Sequence, residues 1–217
     1  MLAPPVRIRR RNAPRTLYRR LAPVYDILVP FISSQARTLA QQWLDVTPGE
    51  TVLDVGTGTG LALASLAKSN PTGWTEGLDA TPAMVARARR RLKQIRHDRH
   101  GVRIGRASNL PYGTDQFDAV LSSYLIDVLP SDRLRLVIEE LNRVLRPGGR
   151  LVLVYVTILR GSLGTLWRLI AKYMPALLGG ARPTNPRPAL NDCGFQVVRS
   201  TTRTQMGLRS AILSARA

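Results

Sequence analysis

The feature that most constrains this chain is the stretch at residues 51–60, TVLDVGTGTG. A short apolar run with one acid, Asp54, leads into glycines at every second position, Gly56, Gly58 and Gly60, and helix-forming residues follow. This order predicts a strand, a tight turn and the start of a helix. Glycine permits positive φ angles and the close approach of a ligand, and the first turn of a helix presents free N–H groups. The stretch therefore predicts a site for a small ligand.

A second acid follows at the end of the next predicted strand. Asp79 lies 19 residues beyond Gly60, where an α/β fold places the side chain that accepts hydrogen bonds from ribose hydroxyls. A carboxylate suits a cis-diol because each hydroxyl can donate to one oxygen. A dinucleotide-binding turn would carry a glycine at the sixth position counted from Gly56, and here that position is Leu61. The spacing therefore favours a ribose-containing ligand and fits a nicotinamide dinucleotide less well.

The rest of the chain alternates predicted strands with predicted helices. With 217 residues it is long enough for one complete α/β domain and short for two. We expect a basic, flexible arm at residues 1–15 and a single domain at residues 16–217. Strands that alternate with helices are typical of a parallel, doubly wound sheet with its ligand at the carboxyl ends of the strands. Helices are predicted at residues 33–44, 61–68 and 132–145 and from Pro82 onward, and strands at residues 52–55, 74–79, 102–105, 117–122, 150–156, 190–198 and 208–215.

The chain is strongly basic, with 32 Lys and Arg against 14 Asp and Glu and a formal net charge of +18. Cations concentrate at residues 7–20, at residues 87–106 and beyond Glu140. Such a field attracts polyanions, which indicates an anionic phospholipid surface or RNA as a partner. An arginine-rich coding bias with solvated helix faces would produce the same charge, and both explanations stay open.

Targeting and metal signals are absent from the sequence. The longest apolar-rich window, residues 163–178, is interrupted by Arg168 and Lys172, so no transmembrane helix is predicted. No secretory signal follows the first arginines, and the single cysteine provides no disulfide framework. His97 and His100 are expected at the surface, and no metal site is predicted. We therefore expect a cytoplasmic protein, with a peripheral position at the inner membrane face as an option.

Five ordered motifs carry a family resemblance: VLDVGTGTG, GLDATPAMVARAR, NLPY, DQFDAVLSSYLIDVL and LNRVLRPGGRLVLV. Together they resemble the class I S-adenosylmethionine-dependent methyltransferases. The similar group is the small type that includes ubiquinone and menaquinone C-methyltransferases and bacterial phosphatidylethanolamine N-methyltransferases. The resemblance covers residues 18–156 and continues weakly to the end. It implies S-adenosyl-L-methionine as the cofactor and a Rossmann-like sheet of seven strands, mostly parallel, with an antiparallel C-terminal hairpin.

The resemblance also implies which residues hold the cofactor. The glycine turn would hold the methionine part, Asp79 would bind both ribose hydroxyls, and the backbone N–H of Ala107 would reach an adenine ring nitrogen. Met84 is explained equally well as a core residue, and the two serines after the fourth strand could simply satisfy the end of that strand. The implied cofactor-binding residues are Asp54, Gly56, Thr57, Gly58, Gly60, Asp79, Ala80, Met84, Arg106, Ala107, Ser122 and Ser123.

One position departs from the family pattern. The commoner pattern has an acid or an amide just ahead of the alanine in the loop before NLP, where it accepts a hydrogen bond from the adenine amino group. This chain has Arg106 there, and arginine can only donate. Adenine recognition would then depend on backbone groups, on Ser108 or Asn109, or on stacking.

The acceptor side is predicted from three segments. Residues 122–125, SSYL, lack the motif of adenine and cytosine amino methylases. Asp127 is a candidate base or orienting group, although a helix cap or an ion pair explains it as well. Residues 157–178 read as an amphipathic basic helix in a lid at residues 157–188, or as an ordinary helix that covers the sheet edge. The candidate substrate-binding residues are Tyr25, Tyr124 and Trp167.

Three functions are consistent with these features. The first is methyl transfer to a small, lipophilic acceptor, either a quinone precursor or a phospholipid amine, at a membrane face. The second keeps the cofactor but makes RNA the substrate, which the charge favours and the absence of an amino-methylase motif disfavours. The third is a non-catalytic binding protein on the same fold. We favour the first hypothesis.

Overall fold

A computed structural model describes residues 34–157, 183–205 and 208–217. The described strands are β1 Thr51–Val55, β2 Trp74–Asp79, β3 His100–Ile104, β4 Phe117–Ser123, β5 Leu145–Val156, β6 Gln196–Gln205 and β7 Leu208–Arg216. The described helices are α1 Ser34–Leu44, α2 Leu61–Ser69, α3 Pro82–Leu92, α4 Leu134–Val144 and α5 Arg187–Asp192. Two short 3-10 turns, Ile126–Val128 and Ser131–Arg133, precede α4.

The seven strands form one sheet in the order β3-β2-β1-β4-β5-β7-β6. Strands β1 to β5 pair in parallel, and β7 runs antiparallel to both β5 and β6. The predicted fold class is therefore confirmed: an α/β, Rossmann-like, doubly wound sheet that is mostly parallel and ends in an antiparallel hairpin.

Helices cover both faces of this sheet, as a parallel sheet requires. Successive strand residues alternate between the faces, so that Val52 packs with α1 and α2 while Leu53 packs with α4 and α5. Helices α2 and α3 enclose a smaller cluster with Val102 of β3. Because both faces are covered, the carboxyl ends of the strands form the open edge where side chains can reach a ligand.

The predicted strand at residues 190–198 was wrong in its first half, since α5 lies there and β6 begins at Gln196. Pro188 occupies the first turn of α5, where a proline is tolerated. Gly194 follows the helix with a φ of 85°, a left-handed angle that is common just beyond a helix end. Leu190 is fully buried on this short helix, and its apolar character was therefore misread as strand periodicity.

Two other expectations also need correction. Strand β5 begins at Leu145 rather than at residue 150, because Leu145 pairs with Phe117 before pairing resumes between Ala119 and Arg150. His100 is not a surface residue away from the strand ends. It is the first residue of β3, it is half-buried, and its Nε2 atom is buried without a hydrogen-bond partner in the described part of the chain.

Several predictions fall outside the described residues. These are the basic arm at residues 1–15, Tyr25, and the lid residues 158–182 with Trp167. The division into an arm and a single domain therefore stays a prediction. Within the described ranges, no helix is long and apolar enough to cross a membrane.

The glycine turn after β1 is held against α3 at very short range. A Cβ placed on Gly60 would lie 2.8 Å from Cβ and 2.9 Å from Cα of Ala88, and Gly60 has a φ of 79°. Both observations exclude a side chain at this position. Gly148 also has a left-handed φ, 75°, but a Cβ there would meet nothing within 4 Å.

Replacement of Gly60 by alanine should lower the free energy of unfolding by about 3 kcal/mol, because overpacking against Ala88 adds to the left-handed strain. Gly148→Ala is the matched control and should cost only the strain, about 1–2 kcal/mol. Urea unfolding followed by circular dichroism measures both values. Equal losses for the two variants would contradict the close packing of the turn on α3.

Candidate cofactor site

The candidate site lies where the strand order reverses. Strand β1 has β2 on one side and β4 on the other, so the crevice beyond the carboxyl ends of β1 and β4 is the switch point of the sheet. Ligands of doubly wound folds bind at such crevices. The glycine turn leaves β1 there, Asp79 ends β2, and Ser122 and Ser123 end β4.

The glycine turn is fixed by its own hydrogen bonds. The N–H groups of Gly56 and Thr57 donate to the carbonyl oxygen of Leu78 at 2.7 and 3.0 Å. On the other side, Arg91 of α3 donates to the carbonyl oxygen of Thr59 at 2.6 Å. Arg91, one of the arginines of α3, therefore holds the turn instead of facing a polyanion.

The three glycines of the turn have different surroundings. A Cβ on Gly56 would lie 3.0 Å from the side chain of Leu125, and Gly60 faces α3 as described above. Gly58 has a φ of 55° and would meet nothing within 4 Å. The open space at Gly58 leaves room for a ligand beside the turn, whereas Gly56 and Gly60 face neighbouring residues.

Asp79 is the best-positioned polar side chain of the site. Its Oδ2 accepts the N–H of Gly58 at 2.9 Å, and its Oδ1 accepts the N–H of Thr81 at 2.8 Å. An ionised carboxylate has about four acceptor positions, so each oxygen retains capacity for a ribose hydroxyl. Two backbone N–H groups thus orient Asp79, and its remaining acceptor positions are compatible with a cis-diol.

Asp54 lies beneath the turn, with 1% of its surface exposed. Its Oδ2 accepts the hydroxyl of Thr57 at 2.6 Å, and the N–H of Leu63 also donates to this carboxylate. The pKa of Asp54 is raised to about 6, mainly by burial and also by the nearby charge of Asp79, while the two hydrogen bonds and Arg37 act in the opposite direction. Thr57 is buried as well, and its hydroxyl is used by Asp54.

Arg37 of α1 is a site residue that the sequence reasoning missed. It is half-buried, and it lies close enough to Asp54 and Tyr124 for their charges to act on it. Burial lowers the pKa of this guanidinium below its usual range. The only available signal was a cation next to the buried stripe of Ala36, Ala40 and Leu44 on the helix before β1.

The two serines at the end of β4 differ in their hydrogen bonding. Ser122 is buried and donates to the carbonyl oxygen of Val55 at 3.0 Å, which ties β4 to β1. The hydroxyl of Ser123 is buried and has no hydrogen-bond partner in the described part of the chain. An unsatisfied hydroxyl at the carboxyl end of a strand is a feature that a ligand can complete.

Tyr124 follows with a φ of 57°, an unusual angle for a bulky residue. Its N–H donates to the carbonyl oxygen of Val154 at 2.7 Å, and its hydroxyl lies 2.8 Å from the hydroxyl oxygen of Ser210 on β7. Such strain persists only when the surrounding contacts enforce it. Tyr124 is thus held rigidly between β4, β5 and β7 at the mouth of the crevice.

Asp127 is not open to solvent. It is 1% exposed, and both of its oxygens accept the N–H of Val156 at 3.0 Å, so it joins the turn after β4 to the end of β5. Burial raises the pKa of Asp127 to about 7. The geometry describes an anchor for the segment that leaves β5.

The opposite end of the crevice is formed around Asp79 and the loop after β3. Ala80 is exposed and Met84 is half-buried on α3. Arg106 is exposed, and its carbonyl oxygen accepts the N–H of Asn109 in a tight turn, while Ala107 packs partly against the core. Ile104, which pairs with Asp79 across the sheet, is 53% exposed and was not singled out in the sequence.

The comparisons with known proteins identify the family of this chain. Residues 52–149 match the family model described as a methyltransferase domain. The chain is 34% identical over 160 residues to an uncharacterized methyltransferase of Synechocystis sp., covering 72% of this chain and 71% of that protein. The chain belongs to the class I S-adenosylmethionine-dependent methyltransferases, whose cofactor is S-adenosyl-L-methionine.

Other relatives are more specific in name. The chain is 30% identical over 164 residues to a demethylmenaquinone methyltransferase of Tropheryma whipplei, covering 74% of this chain and 66% of that protein. It therefore spans slightly less than two thirds of the length of this relative.

Two solved structures share the fold. The magnesium protoporphyrin IX methyltransferase of Synechocystis PCC 6803, solved with bound SAH, has a TM-score of 0.73 at 19% identity, covering 93% of this chain and 94% of that one. The methyltransferase of Haloferax volcanii, solved in complex with the Trm112 methyltransferase activator, has a TM-score of 0.72 at 21% identity, covering 94% and 97%.

Asp54 should make the stability of the ligand-free protein depend on pH. Because its folded-state pKa of about 6 lies above the ordinary 3.8, ionisation is disfavoured in the fold, and stability is lost as pH rises from about 4 through 6. Asp54→Asn removes this loss, which can amount to roughly 3 kcal/mol. The Tm of Asp54→Asn minus the Tm of the wild type should therefore increase as pH rises from about 4 to about 6, as measured by differential scanning calorimetry. A difference independent of pH would contradict the buried position of Asp54.

Proposed function

We propose that this protein transfers a methyl group from S-adenosyl-L-methionine to a small, lipophilic acceptor such as a quinone precursor or a phospholipid amine. The observation that carries the proposal is the geometry of Asp79, whose two oxygens are fixed by Gly58 and Thr81 beside the open space at Gly58. A diol-binding carboxylate next to an open glycine turn suits a nucleoside that carries an amino-acid group.

The polar ends of the cofactor have matching side chains in the proposed arrangement. Asp79 accepts both ribose hydroxyls. Arg37 pairs with the carboxylate of the methionine part, and the ionised form of Asp54 attracts its ammonium group from beneath the turn, an electrostatic effect that needs no direct contact. The open surface at Gly58 receives the chain between these two ends.

The adenine end is proposed to be apolar. Ile104 and Ala80, both exposed beside Asp79, and Met84 would pack on the ring, and the N–H of Ala107 would reach a ring nitrogen. Arg106 carries its side chain at the surface, so it would not supply the missing acceptor. Adenine would then be recognised mainly through backbone groups and shape.

The methyl end requires little from the protein. When bound, the cofactor supplies a sulfonium methyl group that is already activated for transfer. Ser123 and Tyr124 would hold the acceptor in line with it at the end of β4, where positioning alone can contribute about 7–11 kcal/mol. Asp127 would act by anchoring the end of β5 rather than as an exposed base, because its carboxylate is buried against Val156.

The lipophilic acceptor is supported by relatives and by sequence. Demethylmenaquinone methyltransferases are among the relatives, and the one of Tropheryma whipplei matches 74% of this chain. We propose Tyr25 and Trp167 as acceptor contacts, and residues 157–188 as a lid that docks on an anionic membrane through its basic face. These residues lie mostly outside the described ranges, so their support is the amphipathic pattern and the charge of the chain.

RNA is the second candidate acceptor, favoured by the basic segment at residues 87–106. That segment holds nine cations and one acid. Several of these cations have structural partners, however: Arg91 holds the glycine turn, Arg89 donates to the carbonyl oxygen of Val102 at 3.4 Å, and Arg103 pairs with Glu76 at 2.8 Å. The charge available for a polyanion is therefore smaller than the sequence suggests, and we favour the lipophilic acceptor.

Incubation of the protein with methyl-labelled S-adenosylmethionine and a whole-cell extract tests the proposal. Label should enter the organic phase with the wild-type protein and not with Ser123→Ala, which removes the buried hydroxyl without adding volume. Label confined to the RNA fraction would reject the lipophilic acceptor. Binding of cofactor without transfer to any fraction would favour the non-catalytic alternative.

A further inference from the structure

Two residues of α4 form an ion pair that faces the loop after β3. Nε of Arg143 lies 2.7 Å from Oε1 of Glu140, and its Nη2 lies 2.9 Å from Oε2. The pair is bidentate and largely shielded from water, with side chains 33% and 19% exposed. This pairing raises the pKa of Arg143 and lowers the pKa of Glu140, so both groups stay charged through the physiological range.

The ion pair also binds the backbone of the loop. Oε2 of Glu140 accepts the N–H of Leu110 at 2.6 Å, and Nη2 of Arg143 donates to the carbonyl oxygen of the same residue at 3.1 Å. Nη1 of Arg143 donates to the carbonyl oxygen of Tyr112 at 2.9 Å. Both backbone polar groups of Leu110, whose side chain is buried in the core, are therefore satisfied by this one pair.

The loop after β3 is fixed at both ends, and Ala107, the candidate adenine contact, lies between them. At its start, the N–H of Gly105 donates to the carbonyl oxygen of Asp79 at 3.0 Å. At its end, the ion pair of α4 holds Leu110. Ala107 lies within this span of six residues, in the turn that Asn109 closes onto Arg106. Release of Leu110 would free the turn while the carboxylate of Asp79 stayed in place.

We propose that Glu140 and Arg143 are positioning residues for the adenosine half of the cofactor: they set the backbone of the loop that carries Ala107. The inference rests on the proposed placement of adenine against Ala107. Neither side chain touches the cofactor in this account. Arginine is required because its planar fork serves a carboxylate and two carbonyl oxygens at once, which a lysine ammonium cannot reproduce in one geometry.

The same helix offers a matched control. Arg135 and Glu139 form an ion pair at 2.8 Å nearer the N-terminus of α4, with side chains 68% and 45% exposed. None of the hydrogen bonds described for this pair reaches the loop after β3. Substitution of Arg135 therefore removes an arginine and an ion pair from α4 without releasing Leu110.

Isothermal titration calorimetry on the full chain tests the proposal with two probes. S-adenosylhomocysteine contains both the adenosine half and the amino-acid group of the cofactor, whereas 5′-methylthioadenosine contains the adenosine half without the amino-acid group. Arg143→Met should weaken both probes by the same factor, roughly 5- to 20-fold. Arg143→Lys should recover only part of this loss, Glu140→Gln should weaken binding by a smaller factor, and Arg135→Met should leave both affinities unchanged.

Each variant is titrated well below its own Tm, so that loss of folded protein is separated from loss of affinity. Unchanged affinities with a lowered Tm would overturn the proposal, since the pair would then be structural only. A loss for S-adenosylhomocysteine without a loss for 5′-methylthioadenosine would overturn it too, because the effect would lie at the methionine end. If the wild type bound neither probe, the proposed function itself would fail, a result distinct from equal binding by all variants.

Discussion

The candidate site depends on the two hydrogen bonds that Asp79 accepts from the backbone. One joins the end of β2 to Gly58, and the other joins it to Thr81 at the start of α3. The glycine turn after β1 and the junction between β2 and α3 are thereby held in one arrangement around a single carboxylate. Because the carboxylate is already oriented, a diol ligand would lose little of its binding free energy to reorganisation of the protein.

The electrostatics of the site follow from the same arrangement. The charge of Asp79 disfavours ionisation of Asp54, and the charge of Arg37 offsets part of that repulsion. A buried acid with a raised pKa is costly for stability, and such groups cluster at functional sites. The balance of charges indicates a ligand with both an anionic and a cationic end, which the amino-acid part of S-adenosylmethionine provides.

Much of this site was predictable because its signals are local. Glycine spacing predicted the turn, and the distance from Gly60 to Asp79 indicated Asp79 as the candidate diol-binding acid. Strand alternation shows that Ser122 and Ser123 point to opposite faces, but the sequence could not tell which of them would be satisfied by Val55. Arg37 lies near Asp54 and Tyr124, and Arg143 contacts Leu110, although the members of each pair are well separated in the chain. A single sequence carries no signal for such pairs.

The fold, like the site, was predictable where its sequence signals are local and not where it depends on contacts between distant residues. Five parallel strands follow from alternating apolar runs, whereas α5 was misread because six residues with one buried leucine carry too little periodicity. The packing of Gly60 on Ala88 was also invisible, since a glycine required by a neighbouring helix looks like one required by a ligand. Sequence spacing therefore located the site, and only the three-dimensional contacts separated ligand-facing residues from structural ones.

The central claim is that Asp79 binds the ribose of S-adenosylmethionine. Calorimetric titration of S-adenosylhomocysteine into the wild type, Asp79→Asn and the exposed control Asp132→Asn tests it most directly. The account predicts saturable binding by the wild type and the control, and a loss of at least about tenfold for Asp79→Asn, since two charge-assisted hydrogen bonds are weakened. Equal affinity of Asp79→Asn and the wild type would contradict it.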